Sequence, residues 1–469
     1  MEKNFEEAIK KVKSLKGRDS MFNKPDLPKD FIFGTATASY QVEGAGNEDG
    51  RTSCIWDDFA KVPGAVYMQQ DGSVAADQYH KYKEDIELMA NLGFKYYRFS
   101  VSWTRILPNG GNVVNPKGVA YYKNLCQELH KHGMKACCTI YHWDLPSEIQ
   151  AEGGWNVRST AYKLAYLAKV LCQELGDLVD MWITINEAMC ITNLGYLVGE
   201  HAPGIKDVKQ FINSVHYVNL AHGLMISEYR KTGLKAPIGI THNLETPRPA
   251  TRSPKDALAA SHHTDIKSGL YMGPLFKKAY PSYVVDELGW VFPIEPGDMD
   301  LISQKIDFLG INYYNEAAIQ WSDNAMFNEQ HAPRWEEHTT GIHWPITPHG
   351  LLRLLKWTNA YTGGTVPIYI TENGAACNDL PESDAQGNLR VHDTQRIQYL
   401  ADHLEMCAQA IKEGVPLKGY FCWSFIDNYE WALGYSMRFG IVYCDYKTQQ
   451  RIPKDSAFYL RDVMAGYGD

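Results

Sequence analysis

Runs of consecutive apolar, often β-branched residues recur along the chain from Pro25 onward, and stretches with apolar positions at helical spacing separate most of them. Short runs that are apolar on both faces are typical of buried parallel strands, and the intervening pattern predicts amphipathic helices. We predict strands near Phe31–Thr35, Tyr96–Val101, Met134–His142, Val179–Asn186, Pro237–His242, Ile306–Asn312, Val366–Thr371 and Leu417–Ser424. We predict helices over Asp77–Leu92, Lys117–His132, Thr160–Leu175, Phe211–Lys231, Pro348–Tyr361 and Asp393–Glu413.

Alternating strands and helices define an α/β protein, and eight such units fit a closed barrel better than an open sheet. We therefore predict a single (β/α)8 TIM barrel with elaborated βα loops. No Gly/Ser-rich or charge-rich linker divides residues 25–469, so we treat them as one catalytic domain. A length of 469 residues does not require a second domain, because α/β barrels exceed the usual domain size.

Residues 1–24 differ from the rest of the chain and form an N-terminal extension. Phe5, Ile9, Val12 and Leu15 fall at helical spacing with lysines between them. This pattern predicts a short, basic, amphipathic helix.

Polar and aromatic residues gather where six of the predicted strands end. In a (β/α)8 barrel these carboxyl ends meet on one face and form the active site. The residues are Arg98, then His142 with Trp143 and Asp144, Asn186 with Glu187, Asn312 with Tyr313 and Tyr314, Glu372 with Asn373, and Trp423 with Ser424 and Asp427–Trp431. We expect these side chains to surround one pocket.

Two carboxylates in this set, Glu187 and Glu372, each end an apolar strand beside an asparagine. A carboxylate pair can bind a divalent metal, share a proton or flank a glycosidic bond. A magnesium site would require more acids close by, and the His-Glu-x-x-His spacing of a zinc site is absent from the sequence. Amide donors and tryptophans surround the two acids and suit a polyhydroxylated ring with an apolar face, which favours glycoside chemistry.

Six segments carry a resemblance to the glycoside hydrolase family 1 β-glucosidases, from about Pro28 to the C-terminus. Any one of them alone is moderate evidence, whereas all six in order are very specific. They are Phe33–Gly44 (FGTATASYQVEG), Tyr97–Ser100 (YRFS), His142–Pro146 (HWDLP), Thr184–Glu187 (TINE), Ile370–Gly374 (ITENG) and Trp423–Trp431 (WSFIDNYEW).

The resemblance implies a retaining double displacement with Glu372 as the nucleophile and Glu187 as the acid and base. Retention requires the two carboxyl groups to lie about 5–5.5 Å apart. Arg98 and the Tyr314 hydroxyl are expected beside Glu372, where they would favour its ionised form. Glu187 would then stay protonated next to that negative charge.

The same matching implies a set of substrate-binding residues. Gln41, His142, Asn186, Glu430 and Trp431 would hold the sugar hydroxyls, and Trp423 would form a platform beneath the ring. Trp344 would stack on the leaving group. The remaining residues that we assign to substrate binding are Trp143, Asn312 and Phe439. The Trp423–Ser424 peptide bond is expected to be cis, as in relatives.

The implied activity is hydrolysis of the non-reducing terminal β-D-glucosyl residue of β-glucosides and short oligosaccharides, with β-galactosidase or β-fucosidase side activity. Ala188 departs from the proline of many relatives, with little consequence for Glu187. Glu430 is expected to repel a 6-phosphate, which favours an unphosphorylated sugar.

There are two alternatives, a transglycosylase that uses the same intermediate and a non-catalytic sugar-binding relative. The second is disfavoured because both acids are present. The aglycone is not predicted, because it depends on loops 193–204, 317–347 and 377–390.

Composition limits the partners. The formal net charge of −9 argues against nucleic acid. The ten cysteines show no metal-ligand spacing and are expected to be reduced, buried thiols.

We expect no metal and no cofactor, since the two carboxylates supply proton transfer and covalent catalysis. No stretch approaches the length of a spanning helix and no signal peptide is visible, so we expect a cytoplasmic protein, although a secreted form without its signal would look the same. The sequence leaves open whether the chain forms a homo-oligomer.

Overall fold

The computed structural model describes residues 24–333, 338–383, 387–465 and 467. Eight parallel strands close into a barrel in the order β1-β8-β7-β6-β5-β4-β3-β2. The strands are β1 Ile32–Ala36, β2 Tyr96–Ser100, β3 Lys135–Tyr141, β4 Met181–Asn186, β5 Ile238–His242, β6 Phe308–Asn312, β7 Ile368–Asn373 and β8 Leu417–Trp423. The predicted (β/α)8 barrel is therefore confirmed, with each strand within two residues of its predicted bounds.

Helices surround the barrel. The α-helices of eight residues or more in the described part of the chain are α1 Gln78–Asn91, α2 Pro116–Lys131, α3 Ser159–Leu175, α4 Val208–Thr232, α5 Pro254–Thr264, α6 Leu270–Lys277, α7 Pro348–Tyr361, α8 Thr394–Lys412 and α9 Asp455–Met464. All six predicted helices are present. The sequence pattern missed α5, α6 and α9. The apolar positions of α5 and α6 are interrupted by Pro274 and by the π-helical turn Asp265–Gly269 that joins the two helices.

Local sequence signals explain where several helices begin. The Asn115 side chain accepts a hydrogen bond from the Lys117 amide at 3.3 Å, and Pro116 occupies the first helical position of α2. The Asp207 carboxylate likewise accepts from the Gln210 amide at 2.8 Å at the start of α4. Such caps satisfy backbone N–H groups that have no partner within the helix.

Short elements elaborate the βα loops on the pocket face. They include the helices Ser39–Val42 and Ile55–Phe59, the π-helix Cys190–Val198, and small sheets formed by Arg248–Pro249, Ala318–Trp321 and Glu329–His331, by Pro381–Ser383 and Leu389–Val391, and by Val442–Cys444 and Arg451–Pro453. Gln41, Cys190, Leu194 and His331 of these segments contribute to the walls of the pocket.

The hydrophobic core has two main parts. A small cluster that includes Met181, Ile183, Phe308 and Phe421 fills the barrel below the pocket. A much larger cluster packs the outer faces of the strands against the helices. The filled interior makes the barrel a rigid support, so that the site lies only at its C-terminal face.

All ten cysteines are free and buried, as predicted. No helix in the described part of the chain is long and apolar enough to cross a membrane. The basic helix predicted within residues 1–24 falls almost wholly on residues 1–23, outside the described residues.

Candidate active site

The ends of β4 and β7 bring Glu187 and Glu372 into one pocket of about 530 Å3. In the strand register Glu372 pairs with Asn312 of β6, and Asn186 pairs with Thr241 of β5. Of the fourteen site residues predicted from the sequence, thirteen line this pocket: Gln41, His142, Trp143, Asn186, Glu187, Asn312, Tyr314, Trp344, Glu372, Trp423, Glu430, Trp431 and Phe439. The fourteenth, Arg98, is buried directly beside Glu372.

Glu372 is held by two strong donors. Arg98 donates from Nη1 to Glu372 Oε1 at 2.7 Å, and the Tyr314 hydroxyl donates to Oε2 at 2.6 Å. Burial raises the pKa of Glu372 above its usual value, although the Arg98 charge and the hydrogen bonds from Tyr314 and Arg98 act to lower it. The two donors predicted from the sequence therefore offset only part of the effect of burial.

Glu187 lies in a different environment. Its carboxylate accepts a hydrogen bond from the Asn312 amide, with Nδ2 at 2.6 Å from Oε1. Burial and then the charge of Glu372 raise the pKa of Glu187 to about 7. Because Glu372 has a cationic partner and Glu187 has none, Glu187 is the acid of the pair that holds a proton near neutral pH.

One polar network joins the two acids. Arg98 also donates from Nη2 to Asn186 Oδ1 at 2.6 Å, and Asn312 Nδ2 lies 3.0 Å from the same oxygen. The chain of contacts therefore runs from Glu372 through Arg98, Asn186 and Asn312 to Glu187. A connected network of this kind fixes the relative position of the two carboxyl groups.

The sequence analysis did not identify the residue that orients Asn312. The Thr371 hydroxyl donates to Asn312 Oδ1 at 2.8 Å, so the amide nitrogen of Asn312 turns toward Glu187. The Thr241 hydroxyl in turn lies 3.2 Å from Thr371 Oγ1. Threonines are ordinary strand residues, so no sequence signal separates these two from the rest of the barrel.

Cys190 is a second residue that the sequence did not point to. It lies one helical turn after Glu187, and its thiol hydrogen-bonds the Glu187 carboxyl, which lowers the pKa of that carboxyl. Asn243 Nδ2 donates to Cys190 Sγ at 3.3 Å. Burial, and the neighbouring Glu187 charge, raise the pKa of the thiol well above its usual value, so it acts as a neutral donor.

Several residues expected around the pocket do not line it, namely Asp144, Asn373, Ser424 and Asp427–Tyr429. Asn373 donates to the Tyr313 carbonyl at 2.6 Å and accepts from the Tyr420 hydroxyl at 2.7 Å. Asp427 accepts from Lys454 at 2.7 Å. Successive side chains of a strand point in opposite directions, so Asn373 faces away from the side occupied by Glu372.

Four polar atoms on residues that line the pocket are buried and have no hydrogen-bond partner among the described residues. Three of them, Gln41 Oε1, His142 Nδ1 and Glu430 Oε2, belong to predicted site residues, and the fourth is Asn243 Oδ1. Buried polar atoms are costly to leave unpaired, so they indicate where a polar ligand binds. Burial and the charges of Glu372 and Glu187 raise the pKa of Glu430 to about 8.

The raised pKa of Glu430 changes one expectation. A pKa of about 8 favours the protonated form of this carboxyl at neutral pH, which weakens the charge repulsion of a 6-phosphate that the sequence suggested. A protonated carboxyl instead offers both a donor and an acceptor to a neutral hydroxyl.

Aromatic rings surround these polar atoms. Trp143 donates from its indole nitrogen to the Asn186 carbonyl at 2.8 Å, and its ring centroid lies 4.6 Å from that of Trp431. Trp344 and Phe439 pack around Tyr314 with centroid distances of 5.4 and 5.9 Å. Since the Trp143 N–H is already bonded, this residue presents only its ring and supports Asn186.

The backbone of the site is unusual at several points. Glu187, Trp143 and Trp431 have φ values of 52°, 77° and 48°, in the left-handed region that non-glycine residues seldom adopt. The Trp423–Ser424 peptide bond is cis, as the resemblance implies.

A buried carboxylate pair with unequal environments, set among amides and tryptophans at the C-terminal face of a barrel, is the arrangement of a glycoside hydrolase. The family model for glycosyl hydrolase family 1 matches residues 23–468, so the chain belongs to this family.

Relatives extend over nearly the whole chain. "Beta-glucosidase A" of Acetivibrio thermocellus is 40% identical over 451 residues, covering 95% of this chain and 100% of that protein. The "Bifunctional beta-D-glucosidase/beta-D-fucosidase" of Bifidobacterium breve is 39% identical and covers 94% of this chain and 98% of its own length. The crystal structure of the AHE enzyme from Alicyclobacillus herbarius superimposes with a TM-score of 0.91 at 42% identity, covering 95% of this chain and 100% of that one.

Proposed function

We propose that the protein is a retaining β-glucosidase that removes the non-reducing terminal β-D-glucosyl residue from β-glucosides and short oligosaccharides. The observation that carries this proposal is the hydrogen-bonded network that links a nucleophile-like Glu372 to an acid-like Glu187 in one buried pocket. Membership of family 1 and relatives named as β-glucosidases support the substrate class.

In the first step the Glu372 carboxylate attacks the anomeric carbon as the bond to the leaving oxygen breaks. Glu187 gives its proton to that oxygen, so the aglycone leaves as a neutral alcohol. Arg98 and Tyr314 keep Glu372 ionised and aligned before the attack. The product is a covalent glycosyl-enzyme.

Forming this intermediate removes the negative charge of Glu372 and with it one cause of the raised pKa of Glu187. Glu187 is then a carboxylate and can take a proton from water as the water oxygen attacks the anomeric carbon. The bond to Glu372 breaks, and the sugar is released with its original anomeric configuration.

The pocket residues have specific proposed roles toward the sugar. Gln41, His142 and Glu430 contribute three of the unpaired polar atoms, which suit the hydroxyls of a hexose. Asn186 would hold the 2-hydroxyl, whose hydrogen bonds strengthen in the transition state. Trp431 would contact another hydroxyl through its indole N–H, and Trp423 lies beneath the ring.

Asn312 has a different role from the one expected. Its amide is already committed to Glu187 and Asn186, so we assign it to positioning the acid rather than to direct sugar binding. Trp344 and Phe439 lie where the leaving group would pass.

Two alternatives receive less support. A transglycosylase would use the same intermediate with an acceptor other than water, and it is not favoured because the relatives are named as glucosidases. β-Fucosidase side activity is supported by the bifunctional relative. The absence of metal, cofactor and nucleic-acid partners, and the oligomeric state, stay as predictions.

A panel of 4-nitrophenyl β-glycosides tests the proposal. We expect the β-glucoside to have a high kcat/KM, the β-fucoside to follow, and the α-glucoside not to react. Analysis of the first-formed sugar should show the β-anomer. Hydrolysis of the α-glucoside alone, or release of the α-anomer, would contradict the proposal.

A further inference from the structure

The pocket continues beyond Glu187 on the side away from Gln41 and Glu430. This second half is formed by the π-helix that follows Glu187 and by the loops after β5 and β6. Leu194, Leu244 and Ile342 contribute apolar surface there. Because Glu187 is proposed to protonate the leaving oxygen, this half of the pocket receives the aglycone.

A lysine projects into this apolar half. Lys267 lies in the turn Asp265–Gly269 between α5 and α6, and it is the only lysine or arginine among the described residues that line the pocket. Its side chain is half-buried and donates to Asn193 Oδ1 at 2.9 Å. An ammonium group has three N–H donors, and Lys267 has no ion-pair partner within 4 Å among the described residues.

The nearest acids are already paired with another cation. Glu245 lies 2.8 Å from His263 Nε2, and Glu329 lies 3.0 Å from His263 Nδ1. Burial lowers the pKa of His263, but its bonds to Glu245 and Glu329 outweigh this and raise the pKa to about 9. His263 is therefore an imidazolium at neutral pH and balances one of these two acid charges. Burial raises the pKa of Glu245, but the His263 contacts and the charge of Lys267 lower it to about 2, so Lys267 lies within electrostatic range of this carboxylate.

Lys267 also lies close to the reacting centre. The Cys190 thiol that bonds Glu187 is also within electrostatic range of the Lys267 ammonium, which lowers the pKa of that thiol, whereas burial and the Glu187 charge raise it. Lys267 is also tied by geometry to this side of the pocket, because its partner Asn193 lies in the same π-helix, Cys190–Val198, as the Cys190 thiol that bonds Glu187.

We infer that the aglycone subsite recognises a carboxylate, with Lys267 as the residue that binds it, so that glucosides of hydrophobic or aromatic acids are preferred substrates. A half-buried ammonium with unused donors gains most from an acceptor that carries charge, because charge-assisted hydrogen bonds are about twice as strong as neutral ones. The apolar walls accept the rest of the aglycone. This inference rests on the proposed glucosidase function and adds the class of leaving group.

The test compares paired substrates in which charge is the main difference. For each of the 2-, 3- and 4-carboxyphenyl β-glucosides, kcat/KM is divided by that of the matching carbamoylphenyl β-glucoside. In the wild-type enzyme we expect at least one carboxylate isomer to be preferred about tenfold, which is the ratio that about 1.4 kcal/mol would produce. Lys267→Met should reduce that ratio to about one, and Lys267→Arg should restore part of it.

Lys277→Met is the matched control. Lys277 lies in the same segment and is exposed, with its ammonium over the Tyr361 ring at 3.8 Å, and it does not line the pocket. Its substitution should leave the carboxylate-to-amide ratio unchanged. A wild-type ratio near one for all three isomers, or a ratio that Lys267→Met does not alter, would overturn the inference. Inactivity toward every β-glucoside, including the 4-nitrophenyl β-glucoside, would instead refute the proposed function on which it rests.

Discussion

Glu187 and Glu372 are the same chemical group, and their partners make them different. Glu372 accepts hydrogen bonds from the Arg98 guanidinium and the Tyr314 hydroxyl. Glu187 accepts hydrogen bonds from the Asn312 amide and the Cys190 thiol, and the charge of Glu372 repels its ionised form. One carboxyl is therefore stabilised as an anion and the other as an acid. The pair can carry out covalent and acid–base catalysis with no further group.

Replacing Glu187 tests its acid role. Glu187→Ala should lose about 10²–10⁴-fold in kcat/KM for glucosides with poor leaving groups, and far less for a 2,4-dinitrophenyl glucoside, which needs no protonation. In the wild-type enzyme, kcat/KM for the poor substrates should fall as pH rises through about 7, because Glu187 loses its proton there. That alkaline fall should vanish in the variant. Equal losses for both leaving groups would contradict the assignment.

For single residues, the sequence predicts which side chains form the site better than it predicts what those side chains contact. All fourteen predicted residues are in or directly beside the pocket, because the motifs specify which residues end each strand. We assign Asn312 to positioning the acid rather than to sugar binding because the direction of its amide depends on Thr371, which no sequence pattern reveals. The left-handed backbone at Glu187 and Trp143 could not be predicted either, since it arises from the tertiary structure around these residues.

Strands place these residues, and the contact between β7 and β8 is especially close. Gly374 directly follows β7, and a Cβ atom at this position would lie 1.7 Å from the Trp423 carbonyl oxygen. The backbone of β8 therefore occupies the space that any side chain would need. This explains a glycine two residues after the nucleophile, where only its lack of a side chain permits the approach.

Gly374→Ala should push β7 away from β8 and separate Glu372 from the Trp423 platform. We expect a loss of stability of about 2–4 kcal/mol, measured by urea unfolding, together with a large loss of kcat. Gly111→Ala is the control, since its added Cβ would meet only the Pro108 carbonyl at 3.4 Å. Wild-type stability and activity in Gly374→Ala would show that the strands can separate without cost.

The sequence predicted some secondary-structure elements and missed others, and the difference has a physical reason. The strands and most of the surrounding helices have a regular pattern of apolar positions, so the sequence predicted that they exist. Only their first and last residues differ between prediction and structure. The elements between β5 and β6 were missed because their form depends on packing against the pocket walls, and Pro274 breaks the helical pattern. Those are also the elements that carry Lys267 and so determine the aglycone subsite.

In the whole molecule, a buried network of charges links the loops that follow β7 and β8. Lys454 contacts Asp379 and Asp427, the latter at 2.7 Å. Arg396 contacts Asp379 and Asp393, and Arg438 contacts Asp427 at 2.7 Å. Three cations balance three carboxylates, and the network ties the loops after β7 and β8 to the C-terminal part of the chain.

Lys454→Met removes one buried cation and leaves carboxylates without a balancing charge. Stability should fall on the order of 3 kcal/mol, because uncompensated buried charge is costly. Lys117→Met is the control, since its ion pair with Asp49 is exposed and its loss should leave the free energy of unfolding nearly unchanged. Equal stabilities of the two variants in urea unfolding would show that the network does not stabilise the fold.

The central claim is that Glu372 is the nucleophile, and the stereochemistry of azide rescue tests it most directly. Glu372→Ala should not hydrolyse 2,4-dinitrophenyl β-glucoside, and azide should restore turnover by entering the vacated space, which gives the α-glucosyl azide. In Glu187→Ala the intermediate still forms on Glu372, so azide should give the β-glucosyl azide. Normal hydrolysis by Glu372→Ala without azide, or a β-glucosyl azide from that variant, would contradict the account.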